Sequence, residues 1–346
     1  MFNKNLKYYR LRKNMSKREL ASKIDVTPMA ITNYENGTRK PGMEILKLMA
    51  SALEVKVSDF LAVRNESLSF SHGEFRKYTA LLKNQQEYVR ESVEDYFGRF
   101  FDAVELLGGD VLINAPKCNE IPLSDSAEDD ACKMREYLRV GSEGPVGDLV
   151  EVLENQGVLM YPCAIDSDHF SGMNGCVDGR PYITFNNNMT PERIRSTIAH
   201  ELAHALFVWP KDMGDKEVEK RATAISGAFL FPKKDVIREL GVHRSAITGD
   251  MALVCKEYGI SMYLLTMRAQ IVGVVSTFAA KDFYIEAAKL GWRKHEPSRI
   301  KPEEPLLFKQ LVYRAVNEKE ISLQRGAELL QISYKEVENE CCSFGV

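Results

Sequence analysis

The chain opens with short apolar runs in helical rhythm, each closed by a turn. Leu6 and Leu11 mark a first helix. Ser16 to Ile24 reads as a second, opened by a serine cap with Glu19 three residues on, a capping box that ties down two backbone N–H groups. Asp25 and Val26 form a turn, and Thr27-Pro28 starts a third helix that ends at Gly37, where glycine can take the left-handed conformation. Leu46, Leu48, Met49, Leu53, Val57 and Leu61 supply two closing helices. Through residues 66–108 the stripe turns aromatic, from Phe75 and Tyr78 through Val93 and Phe97 to Leu107, and predicts one long or two shorter helices with a core-facing side.

Residues 117–130 break the rhythm with a run of acids and read as a mobile linker loop. An amphipathic helix and a strand follow over 145–159, then short alternating strands with glycine turns over 172–187. Thr190-Pro191-Glu192 combines a capping hydroxyl, proline at the first helical position and an acid near the positive end of the dipole. The helix it starts should reach about Val208 and stop before Trp209-Pro210, with Ile194, Ile198, Leu202, Ala205 and Leu206 as its buried stripe. Asp215 caps another helix of roughly 216–230, striped by Val218, Ala222, Ile225 and Phe229. The remainder is helical, with helix-turn-helix-like stretches at 250–268 and 311–337. Acids around the second (Glu318, Glu320, Glu328, Glu336) argue for packing or a protein contact rather than DNA.

Chemistry concentrates at His200-Glu201-Leu-Ala-His204. A four-residue step on a helix turns about 400°, so the two histidines lie roughly 40° apart on one face. That spacing lets both imidazoles grip one zinc ion, and the Glu201 carboxylate is placed to activate a water on the metal. The plain reading is two solvated histidines on a helix flank. The neighbouring apolar stripe favours a site, because positioned ligands need a packed support. A catalytic zinc usually has three protein ligands plus water. Glu217 and Glu219 flank the next helix's stripe on opposite sides, and spacing does not choose between them.

Residues Arg195 to His204, followed by Glu219-x-x-Ala222 and Ala228-Phe-Leu-Phe-Pro232, resemble the ImmA/IrrE metallopeptidases. Their second helix reads E-x-x-A-N-x-F-A-x-x-L-L-x-P. Counted back from Pro232, the resemblance implies that Glu219 is the third metal ligand beside His200 and His204, with Glu201 as the catalytic base. Ala203, Thr223, Ile225 and Ser226 depart from the family pattern, and none is a ligand. Thr223 could still orient one. Residues 145–159 and 172–187 are similar to the family's leading helix and strand and to the hairpin beside its cleft. Tyr182 to Phe185 is the best candidate there for holding a substrate backbone by strand addition.

The N-terminus makes a separate case. Residues 1–64 carry a net charge of +7 in a chain of −3, so the rest is acidic. A basic small domain on an acidic body suggests a polyanion partner, although a solvated basic face would look the same. The order of small and apolar positions, Ala21, Val26 and Ile31 above all, resembles the XRE (lambda-repressor-like) helix-turn-helix over residues 5–62. The resemblance places Thr27, Pro28, Met29, Thr32 and Asn33 of the third helix, and Lys17 at the start of the second, at a major groove. Asn33 can pair with adenine, and Met29 or Thr32 can touch a thymine methyl. Arg18, Arg39 and Lys40 would hold phosphates.

The sequence thus implies a mainly α protein with a small α+β zincin-like metallopeptidase domain and an N-terminal all-α helix-turn-helix domain. The expected divisions are 1–64 (DNA-binding), 65–140 (helical linker), 141–275 (peptidase) and 276–346 (helical C-terminal region). Seven cysteines without a C-x-x-C pair suggest free thiols in a reducing cytoplasm, in preference to a second metal site at Cys163, His169 and Cys176. No run of about 18 apolar residues points to a membrane. The expected partners are a double-stranded DNA operator, Zn²⁺, and a protein substrate, either a helix-turn-helix repressor or the protein itself, with a homodimer for half-site recognition. The alternative is a non-proteolytic transcription factor whose zincin-like domain senses zinc or docks a partner.

Overall fold

The computed structural model describes residues 1–62, 65, 67–73 and 81–342, apart from the side chains of Arg293, Lys294 and Cys342. Phe75 and Tyr78 of the expected aromatic stripe lie outside the described residues. The first helices are α1 (Phe2–Arg12), α2 (Lys17–Lys23), α3 (Pro28–Glu35), α4 (Met43–Leu53) and α5 (Val57–Leu61). Leu6, Leu20, Ile31, Met49, Leu53 and Phe60 form their solvent-free centre. The capping box holds: Glu19 N–H donates to Ser16 Oγ at 3.1 Å, and Ser16 N–H donates to the Glu19 carboxylate at 2.6 Å. Asn5 Nδ2 donates to the carbonyls of Phe60 (3.0 Å) and Ala62 (2.8 Å), closing the first helix on the last.

The aromatic stretch divides into β1 (Phe70–His72) and the long helix α6 (Lys83–Leu106), whose buried side includes Val89, Val93, Phe97 and Phe100. The acidic stretch after it is not a mobile loop. It contains β2 (Ile121–Pro122) and the start of α7 (Ala127–Tyr137). The reason is capping and pairing: Ser126 Oγ accepts from the Glu128 and Asp129 N–H groups, and the fully buried Asp130 accepts from Arg221 Nε at 3.1 Å. Acids in a first turn complement the helix dipole, so what looked like a charged spacer is a helix start.

Next come α8 (Leu149–Glu154), β3 (Leu159–Cys163), β4 (Gly172–Val177), β5 (Arg180–Asn186), α9 (Pro191–Leu206), β6 (Phe207–Val208) and α10 (Asp215–Leu230). The four-stranded sheet runs β1-β4-β5-β3. β4 and β5 form a hairpin, and β3 pairs with β5 in parallel. Asp178 and Gly179 both have positive φ, as the tight turn of a hairpin requires. Two expectations change in detail. Thr190 sits at the N-cap of α9 but its hydroxyl accepts no capping bond, and the helix gives way at Phe207 to β6, which pairs with β2.

The chain continues through α11 (Lys233–Leu240), α12 (Met251–Tyr258), α13 (Met262–Val272), α14 (Thr277–Lys289) and α15 (Trp292–His295) to α16 (Leu307–Asn317), α17 (Leu323–Leu330) and α18 (Tyr334–Cys342). Two compact units result. One holds Met1–Leu68, the chain from Phe75 to Asp110 and that from Leu311 onward; the other holds Ser69–Glu74 and Val111–Gln310. In the first, α17 packs against α6, where the Arg99 guanidinium donates to the Leu329 carbonyl and Arg325 lies 3.5 Å from Asp102. No helix among the described residues is long and apolar enough to cross a membrane.

Candidate metal centre and nucleic-acid interface

α9 and α10 pack side by side, and their facing turns bring His200, His204 and Glu219 together. The two Nε2 atoms lie 3.1 Å apart. One Glu219 oxygen lies 3.4 Å from His200 Nε2 and the other 3.3 Å from His204 Nε2. Glu217, the alternative acid, is exposed and outside this group.

This donor set fits zinc. Ligand atoms about 2.05 Å from a tetrahedral ion stand roughly 3.3 Å from one another, close to all three separations above. Two neutral imidazoles and one carboxylate are also ligands that zinc prefers. Among the described residues this is the one His, Cys, Asp and Glu grouping with such spacing. Cys163, His169 and Cys176 do not converge.

The surroundings orient the donors. Thr223, one turn along α10 from Glu219, donates its hydroxyl proton to the Glu219 carbonyl at 2.8 Å and sits 3.5 Å from His200 Nδ1. With its proton committed, the hydroxyl can only accept from Nδ1–H, which leaves the Nε2 lone pair directed at the cluster. Trp209 covers His204, its ring centroid 5.5 Å away and its Nε1–H donating to the His204 carbonyl at 3.3 Å. In the sequence Trp209 registers only as a helix stop beside Pro210. Glu201 is buried between the two histidines in the chain, against the start of β4: a Cβ at Gly172 would lie 3.2 Å from its Cγ.

α9 is itself clamped at its N-terminal half. Buried Arg195 donates to the Gly147 carbonyl at 2.6 Å and pairs with Glu303, while Glu192 accepts from the Arg299 N–H at 2.6 Å. Gly259 is required here on two counts, a φ of +62° and a Cβ position that would lie 2.6 Å from Arg195 Nε. The expected substrate strand, Tyr182 to Phe185, does not have a free edge. It belongs to β5, whose two sides are taken by β4 and β3.

The cysteine expectation also changes. Cys118 and Cys176 are joined as a disulfide. Their 58-residue separation carries no pairing signal, but the Asn119 and Glu120 N–H groups donate to the Ala205 and Leu206 carbonyls and tie that segment to the end of α9, the helix that packs on β4. Cys163 and Cys255 are free and buried, and burial pushes each thiol up to about 12.

In the N-terminal unit, α2 and α3 cross as a helix-turn-helix, with Asp25 at a φ of 54° in the turn. Thr27 caps α3 by accepting from the Ala30 N–H at 3.2 Å. Met29, with 65 % of its surface accessible, stands beside exposed Thr27 and Pro28 on the leading turn of α3, and half-buried Thr32 and Asn33 lie one turn on. Arg18, Arg39 and Lys40 are exposed, and Arg39 is 5.9 Å from the Tyr34 ring. Beneath them Arg10 and Glu35 form a buried two-pronged pair, Nε to Oε1 at 2.5 Å and Nη2 to Oε2 at 3.1 Å. Lys17 Nζ adds a third contact to Glu35 at 3.4 Å. This pair ties the end of α3 to α1, and no local spacing announces it.

The two sites define a helix-turn-helix module of DNA-binding type and a metallopeptidase-like domain in one chain. Residues 6–60 match the family model described as helix-turn-helix, and residues 163–270 match that described as the IrrE N-terminal-like domain. The chain therefore carries an XRE-type helix-turn-helix fused to an ImmA/IrrE-like domain. Comparison with curated proteins and with solved structures finds no match.

Proposed function

We infer that this chain is a cytoplasmic transcriptional regulator whose second domain is a zinc-dependent endopeptidase acting on a regulatory protein, a helix-turn-helix repressor or another copy of itself. The convergence of His200, His204 and Glu219 beside Glu201 carries this reading. The two imidazoles and the Glu219 carboxylate would hold Zn²⁺. When bound, the ion supplies Lewis acidity, activating water at neutral pH and polarising a carbonyl. A carboxylate oxygen of Glu201 takes a proton from the attacking water and passes it to the leaving amine. A site that only stores or senses zinc has no use for that carboxylate.

On the DNA side, Thr27, Pro28, Met29, Thr32 and Asn33 of α3 and Lys17 of α2 read the major groove, while Arg18, Arg39 and Lys40 hold phosphates. Two chains on a double-stranded operator supply the two half-sites. The reading is tested by incubating zinc-loaded wild type and Glu201→Gln with co-encoded repressors. Cleavage by the wild type alone supports the peptidase. No cleavage by a zinc-loaded protein that still binds DNA favours a sensing or docking role for the domain.

A further inference from the structure

Strand β4 meets α9 beside the proposed base. At its first residue, Gly172, a Cβ would lie 2.6 Å from Thr197 Cγ2 and 3.2 Å from Glu201 Cγ. Its inner side pairs with β5, and its outer side is taken by β1, antiparallel, with Phe70 opposite Val177, Ser71 opposite Cys176 and His72 opposite Gly175. The pairing continues at both ends. Asp178 N–H donates to the Ser69 carbonyl at 2.9 Å, and Gly73 N–H donates to the Asn174 carbonyl at 2.8 Å. Alternation therefore turns the backbone of Ser71 toward β4, and the strand runs in the direction of Gly172 and Glu201.

A side-chain lock accompanies the backbone bonds. His72, Gly175 and Tyr182 lie in line across β1, β4 and β5. Because Gly175 has no side chain, the Tyr182 ring crosses over it and brings its hydroxyl 2.6 Å from His72 Nδ1. A Cβ at Gly175 would sit 2.4 Å from that hydroxyl oxygen. Phe70 stacks on His72 with ring centroids 5.7 Å apart, so the face is completed by rings at alternate positions of the docked strand.

Extended peptides are commonly held by backbone pairing with a sheet edge, with pockets for alternate side chains. We propose that the outer edge of β4 is the site that takes an extended polypeptide, antiparallel and with ring side chains at alternate positions, and that Ser69–Gly73 is a tethered occupant which a protein substrate must displace. The proposal rests on the peptidase reading. β1 is the first strand after the five N-terminal helices in the chain, and the edge cannot hold a substrate while β1 stays docked.

The test titrates a fluorescein-labelled synthetic peptide with the sequence of residues 67–75 into two full-length proteins. One is otherwise wild type and the other carries Ser71→Pro and His72→Ala, and both carry Glu201→Gln so that no bond is cut. Proline removes the Ser71 N–H. The release variant should bind the peptide at least about tenfold tighter. Its Cys176 and Asp178 amides should exchange faster than in the parent and slow again with peptide bound. Equal affinity in both proteins, with exchange showing β1 released, overturns the proposal. If the double variant does not fold, Tyr182→Phe, which keeps the ring and loses the hydroxyl, should give a smaller gain in the same direction, and no gain overturns it. Peptide binding requires no turnover, so failure of the peptidase reading would appear separately, as an intact repressor beside zinc-loaded wild type.

Discussion

His200 and His204 present their Nε2 atoms to each other at 3.1 Å, with Glu219 reaching both from the neighbouring helix. Three polar donors at this separation, beside buried Glu201, are arranged for a shared cation rather than for bulk water. The arrangement ranks the acids and the outer contacts. Glu217→Gln should leave zinc affinity unchanged. Thr223→Val should lower it by roughly tenfold, the usual scale for losing a group that orients a ligand. Glu219→Gln should lower it further still. Competition with a chromophoric chelator measures all three.

The Arg10–Glu35 pair is 3 % exposed on each side chain. Removing Arg10 leaves buried Glu35 only the partly exposed Lys17 as counter-charge, at a cost of about 3 kcal/mol, whereas replacing both members of a buried pair by apolar residues can be nearly neutral. Arg10→Met alone should thus lower the opening free energy of α1 and α3 by about that much, read from amide exchange. Arg10→Met with Glu35→Leu should restore most of it.

Base-edge and phosphate roles separate by their salt dependence. Asn33→Ala should cost about 1–3 kcal/mol on a selected operator and relax the preference at one position. Arg39→Ala should weaken binding to all sequences alike and reduce the slope of log K against log salt by about 1. Fluorescence anisotropy at several salt concentrations distinguishes the two.

Burial raises the Cys163 and Cys255 thiols from an ordinary value of 9 to about 12. In the folded protein both stay neutral at pH 8, so iodoacetamide should modify exposed Cys132 and spare them. The sign for stability follows. Unfolded thiols ionise above 9 while the folded ones do not, so the contribution of these groups is complete below pH 9 and declines as pH rises from 9 towards 12. Mass spectrometry of alkylated peptides and denaturation at pH 8 and 10 test both statements.

Much of this was legible because the determining interactions are local. The capping box at Ser16, the turn at Asp25 and the His200–His204 spacing all act within a few residues, and each recurs in the structure. Features set by distant partners were not. The helix beginning at Ala127 looked like an acidic spacer because its anchor, Arg221, lies 91 residues from Asp130. Tyr182 to Phe185 looked like an open strand because the sequence does not reveal that β3 and β4 flank it. β1 does not stand out from the helical rhythm around it, because three residues, Phe70 to His72, are too few to establish a period. The choice of Glu219 over Glu217 needed family resemblance in the sequence, and the fold separates the two by position alone.

The central claim is that His200, His204 and Glu219 hold one zinc ion for Glu201 to work beside. Elemental analysis of the purified full-length chain, wild type against His200→Ala/His204→Ala, tests it most directly. The account predicts about one zinc per wild-type chain, none in the double variant, and unchanged zinc in Glu201→Gln. A wild-type chain that takes up no zinc from a metal-buffered solution, or a double variant that retains it, would contradict the account.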